Sequence, residues 1–135
     1  RVNWTLKPEL AIVISEEAKV RMTTVSKFCQ EMNINKIEIL KIDTEGYDLE
    51  VLKGADDLLQ SQSIDLVQTE VGISSTNNYH VPFQIINQFL IERNYYVFGI
   101  YNQELEWPTS EPRLRRVDVV YISENALRSN MSLDN

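Results

Sequence analysis

A chain of 135 residues, 43% hydrophobic and 24% charged, is long enough to bury one core and too short for two. Its 13 basic and 20 acidic residues leave a net charge of −7, and no Lys/Arg run is interleaved with aromatics, which argues against a nucleic-acid surface. The single cysteine, Cys29, excludes an internal disulfide and a Cys-based zinc framework and fits a reducing, cytoplasmic setting; no apolar run approaches the roughly 20 residues that span a bilayer.

The chain opens on Arg rather than Met and without a signal peptide's apolar core, which points to a piece of something longer. Residues 9–15 (ELAIVIS) are short and β-branched, and 19–23 (KVRMT) alternate polar and apolar, so an N-terminal β-hairpin is predicted. Thr24 caps a helix through Met32 whose Val25, Phe28, Cys29 and Met32 share one face. Cys29 belongs to that core face rather than to catalysis, with no neighbouring His or helix N-terminus to activate it. Residues 36–43 (KIEILKID) form a strand, Gly46 leaves it, a helix runs from 47 to 59, and 64–71 (IDLVQTEV) form the next strand. Two strands joined by such a crossover make a right-handed parallel βαβ unit.

Residues 72–80 (GISSTNNYH) read as a polar loop leaving the same sheet end as Asp43. A helix over 81–92 tolerates Pro82 in its first turn and turns Val81, Ile85, Ile86, Phe89 and Leu90 inward. Residues 95–101 (YYVFGIY) form a buried strand, 102–112 a loop, and 116–123 (RVDVVYIS) a last strand returning antiparallel, because no helix precedes it. Arg113, Arg115 and Arg116 read as the solvated start of that strand, or else as an anion or partner site. Tyr95, Tyr96, Phe98, Tyr101 and Trp107 read as core aromatics, and the tail after Leu127 as frayed. The order ββα, βα, βα, β, β describes one α/β domain over 1–135.

The runs TTVSKF, INKIEILKIDTEGYDLEVLKGADDLL and IDLVQTE, followed by NYYVFGIY, closely resemble the C-terminal half of FkbM-type S-adenosylmethionine-dependent methyltransferases. The resemblance spans roughly Val20 to Tyr101 and is most specific from Leu40 to Ala55. It implies a class I methyltransferase (Rossmann-like) fold: a sheet of order 3-2-1-4-5-7-6 with helices on both faces. This chain then supplies strands 4-5-7-6, the last antiparallel, plus the N-terminal hairpin. It further implies methyl transfer from S-adenosylmethionine to a hydroxyl of a sugar, glycan or secondary metabolite. The Gly-rich turn and the ribose-binding acid that the family pattern carries on its first strands are not found. The four glycines, Gly46, Gly54, Gly72 and Gly99, form no G-x-G turn. The cofactor half is therefore expected to be missing, and the fragment inactive alone.

Asp43 ends the strand where this fold places acceptor-side groups, and its carboxylate could take or orient a hydroxyl proton; the alternative is a turn cap. Glu45 could act there too, or cap the following helix. Glu50 reads as a surface partner of Lys53. Glu70 ends the neighbouring strand, and with Asp43 is expected in one crevice, where a carboxylate pair raises one pKa. His80, the one histidine, is a candidate base in the adjoining loop. A metal site on Asp43, Glu45, Glu70 and His80 is chemically possible, but no ligand spacing supports it, so none is expected.

Two other classes compete. A non-catalytic module would associate with a second copy through the bare sheet edge from Lys36 to Asp43, or the hairpin from Glu9 to Thr23 would stand in for the missing strands. A receiver-like domain phosphorylated on Asp43 lacks its acidic pair and its Lys.

Overall fold

The structure is a computed structural model that describes residues 20–131. The strand expected over 9–15 lies outside the described residues, and 20–23, the described part of the expected hairpin, belong to no helix or strand. From there the chain runs α1 (Val25–Met32), β1 (Ile37–Ile42), α2 (Asp48–Lys53), α3 (Asp56–Gln60), β2 (Ile64–Gly72), α4 (Phe83–Ile91), β3 (Tyr95–Glu106), β4 (Glu111–Ser123) and α5 (Glu124–Met131).

Thr24 caps α1 as expected, its hydroxyl accepting from the Lys27 N–H at 3.1 Å, and Asn33 ends the helix in the left-handed region at φ 55°. Cys29 is buried, whereas Phe28 and Met32 on the same face are exposed. The expected single helix over 47–59 is two. Gly54 interrupts it: its carbonyl accepts from the Ser26 N–H at 3.0 Å, and a Cβ there would stand 3.1 Å from the Thr24 side chain. The start of α1 thus takes a carbonyl the helix would have used, at the residue type least costly to break it on.

The four strands form one sheet of order β1-β2-β4-β3. β1 and β2 are parallel, with Ile37 opposite Ile64 and Ile42 opposite Thr69, as the βαβ reading requires. The last strand enters between β2 and β3, antiparallel to both. The mixed α/β architecture and the antiparallel return are therefore as the sequence predicts.

The stretch expected as a loop over 102–112 is mostly sheet. β3 continues to Glu106 and β4 starts at Glu111, with a register broken by several bulges. Of the tail expected to fray, 128–131 are helical and 132–135 lie outside the described residues; α5 has no buried residue. Of the five aromatics expected in the core only Tyr95 is buried, because β3 is an edge strand exposed along almost its whole length.

Register divides the sheet into two unlike faces. Val67, Thr69 and Val71 of β2 lie opposite Tyr121, Val119 and Val117 of β4, and all six are buried. This face carries the core with Leu52, Leu59, Ile86 and Leu90 from the helices. By the period of two, Gln68, Glu70, Arg116 and Asp118 turn to the other face. Ile86 and Leu90 take the inward positions expected of α4, but Ile85 is exposed.

Candidate functional site

The polar face becomes a crevice of about 440 Å³ where β1 and β2 end, lined among others by Lys41, Asp43, Glu45, Glu70, Glu104, Arg116 and Asp118. Five carboxylates stand there against two cations, so the crevice favours positive charge.

The turn after β1 is fixed from below. Asp48, 1% exposed, accepts from the Thr69 hydroxyl on Oδ1 and from the Thr44 hydroxyl on Oδ2, each at 2.9 Å. It ties the turn to β2 and places a negative charge in the first turn of α2, where the helix dipole favours it. Glu45 and Gly46 then adopt φ of 50° and 100°. A Cβ on Gly46 would stand 2.2 Å from the Tyr79 carbonyl oxygen, so a glycine is needed there for the turn to lie against the loop carrying His80.

That loop is built on Asn77, which is buried. Its Oδ1 accepts from the backbone N–H groups of Tyr79 (3.1 Å) and His80 (3.3 Å), while Nδ2 donates to the Arg115 carbonyl at 3.1 Å. The same amide faces His80 Nδ1 with Nδ2 at 3.0 Å and Oδ1 at 3.1 Å, and so serves either tautomer of the ring. The ring is thereby turned so that Nε2 points at two carboxylates: Glu70 Oε2 at 2.7 Å and Glu45 Oε2 at 3.6 Å. The His80 side chain is 7% exposed, and Nε2 makes no hydrogen bond of good geometry. Glu70 Oε2 is close without the alignment of a directed hydrogen bond among the described residues.

Glu70 is held on its other oxygen by Arg116, whose remaining donors engage Glu104 in a forked pair at 2.9 and 2.8 Å. Burial pushes the Glu70 carboxyl above its usual range. The neighbouring His80 and Arg116 pull it down, and the charges of Glu45 and Asp118 add to the rise. The carboxylates that act on Glu70 are thus Glu45 and Asp118 rather than Asp43. Asp43 lines the same crevice but is exposed, with Lys41 3.6 Å away. Neither Asp43 nor Glu45 caps α2, which has no side-chain cap.

Glu50 pairs with Lys53 at 2.7 Å on the surface, as expected. The arginines do not form a solvated cluster. Arg113 pairs with Glu111, Arg116 belongs to the crevice, and Arg115 is buried against Glu106 at 3.0 Å, near the rings of Tyr79 and Trp107. Sequence reasoning missed Asp48, Asn77, Glu104, Arg116 and Asp118 as parts of the site. Glu70 and Arg116 could have been paired by the parity of β2 and β4 once their register was known.

No curated protein and no solved structure matches the chain. Residues 3–97 match the family described as the Methyltransferase FkbM domain, a span that takes in β1, β2 and all of Asp43, Glu45, Glu70 and His80. Since that match covers more than half of the 135 residues, the chain belongs to the FkbM methyltransferase family.

Proposed function

We propose that this chain forms the acceptor side of an S-adenosylmethionine-dependent O-methyltransferase. The observation that carries the reading is the cluster of Glu45, Glu70 and His80 in an acidic crevice at the carboxyl ends of two parallel strands, in a chain of this family. In this reading β1, β2, β3 and β4 are strands 4, 5, 6 and 7 of a class I sheet. The methyl carbon leaves the sulfonium sulfur, which keeps the bonding electron pair, and bonds to the acceptor oxygen. The hydroxyl proton passes to a group of the crevice, for which Asp43, Glu45, Glu70 and His80 are the candidates. The acceptor is a hydroxyl of a sugar or secondary metabolite.

The cofactor's amino-acid and ribose groups are held outside these 135 residues, and the chain alone is inactive. Supporting this, its four glycines offer no phosphate-type or carboxylate-cradling G-x-G turn.

The test compares the chain with its reading frame extended upstream, using S-adenosylmethionine labelled in the methyl group and a panel of hydroxyl acceptors. The extended protein is expected to transfer label to oxygen, and Glu70→Gln to lose about 100-fold in rate with cofactor affinity unchanged. Transfer by the chain alone, or a rate undiminished in each of Asp43→Asn, Glu45→Gln, Glu70→Gln and His80→Gln, overturns the reading.

A further inference from the structure

We propose that Glu45, Glu70 and His80 together bind one divalent first-row transition-metal ion, such as Mn²⁺ or Co²⁺. The ligand spacing is invisible in the sequence because the three residues come from a turn, a strand and a loop. Folding brings a ligand atom of each to within 4.8 Å of the others. Bonds of about 2.1 Å at angles of 90–110° put two ligand atoms roughly 3.0–3.4 Å apart. The observed 2.7 Å and 3.6 Å from Nε2 to the two carboxylate oxygens bracket that range.

A second observation points the same way. Asn77 Oδ1 lies 3.1 Å from Nδ1 and can accept its proton, which would hold the tautomer whose Nε2 lone pair a metal needs, and Nε2 faces a carboxylate oxygen 2.7 Å away. Two acceptors at that distance repel unless a cation lies between or beside them. Among the described residues no hydrogen bond of good geometry forms at this nitrogen, in a ring 93% removed from solvent and aimed at the two carboxylates, and a cation beside these atoms would satisfy them together.

The surroundings are arranged for it. Arg116 occupies one oxygen of Glu70 and leaves Oε2 to the cluster, and its own charge is met by Glu104. Imidazole with two carboxylates is the donor set of Mn, Fe, Co or Zn more than of Mg or Ca, which favour all-oxygen shells. Asp43, engaged near Lys41, is not a ligand, so this set is smaller than the four residues weighed from sequence. The binding does not depend on the methyltransferase reading. If both hold, His80 acts as a ligand and Asp43 becomes the free proton acceptor of the crevice.

Because His80 is the one histidine, its ring signals in the NMR spectrum of the 135-residue chain report the site without ambiguity. Substoichiometric Mn²⁺ is expected to broaden them selectively, and Co²⁺ titration to saturate at one ion per chain. Glu45→Gln, at an exposed position where the fold is not at stake, should weaken binding at least 10-fold, and Glu70→Gln more. Glu50→Gln, on the surface of α2, should leave it unchanged. No saturable binding, or binding undiminished in both Glu45→Gln and Glu70→Gln, overturns the proposal.

Discussion

Replacing Thr69 with Val tests whether the buried Asp48 carboxylate anchors the turn that carries Glu45. Thr69 is fully buried, and its hydroxyl lies 2.9 Å from Asp48 Oδ1. Val matches its shape, so the change removes one donor and leaves a buried carboxylate oxygen with one partner fewer. An orphaned acceptor of this kind costs about 1–3 kcal/mol. For a domain of this size that corresponds to a midpoint lowered by about 4–10 °C. Thr44→Val removes the other donor from a less buried position and should cost about 1 kcal/mol. The two hydroxyls serve one carboxylate, so their effects should not add, with a coupling of about 0.5 kcal/mol or more. In an Asp48→Ala background the acceptor is gone and Thr69→Val should become nearly neutral. Urea and thermal unfolding followed by circular dichroism measure the single Thr variants, their double, and Asp48→Ala with and without Thr69→Val. A Thr69→Val change that is neutral in the wild-type chain, or equally costly with Asp48 absent, refutes the anchoring argument.

Gly46→Ala places a Cβ against the Tyr79 carbonyl at a left-handed backbone position, so it should destabilise by about 2 kcal/mol or more and loosen Glu45 from His80, read as unfolding midpoint and Mn²⁺ affinity together. Two buried tyrosines should respond oppositely to loss of the hydroxyl. Tyr95→Phe breaks a 2.6 Å bond to the Ile64 carbonyl and should cost about 1 kcal/mol, while Tyr121→Phe removes a buried hydroxyl with no partner among the described residues and should be neutral or stabilising. Glu106 is held below its ordinary value of 4.5 by the Ser74 hydroxyl first, then by Thr76 and Arg115. A depressed folded-state pKa adds stability above the unfolded value and loses it as pH falls through the folded one. The stability gap between wild type and Glu106→Gln should therefore be full near neutral pH and close progressively below about pH 4.5; a gap constant from neutral to acid pH would count against it.

The parts of the fold legible in the sequence are those whose residues have to be apolar. The βαβ unit showed because β1 and β2 alternate β-branched residues against a helical period, and β4 because Val117, Val119 and Tyr121 face the core. The extension of the hairpin through 102–106 and 111–115 did not show, since an edge strand open to water on both faces needs no apolar pattern. Asn102, Gln103, Glu104 and Glu106 look like loop for that reason. Of the site, Asp43, Glu70 and His80 were legible as residues at one sheet end. Their partners were not, because a charged side chain shows its burial only through its neighbours. Asp48 reads as an ordinary acid in a first helical turn, and Arg115 and Arg116 read as surface cations. Strand register and tertiary packing set them against carboxylates or a hydroxyl 9, 21 and 46 residues away.

The outer edge of β1 bears on both readings of this chain. Among the described residues β1 pairs with β2 alone, and Ile39, on the same face as Lys41 and the crevice, is 61% exposed. A short apolar edge with unpaired backbone groups is a template for another strand. Whatever strand pairs there runs beside Asp43 at its end and adds a wall to a crevice that now has Glu45, Glu70 and His80 on one side. The partner supplied in the enzyme reading is the cofactor-binding part of the sheet; in the module reading it is a second copy. Both satisfy the edge, but they differ at the crevice. A second copy pairing in parallel register would bring its own acidic turn toward a crevice that already sets five carboxylates against two cations. Like charge gathered at one wall disfavours that arrangement, so we propose an unlike partner at this edge; a 135-residue chain that sediments as a stable dimer paired across β1 would refute the argument.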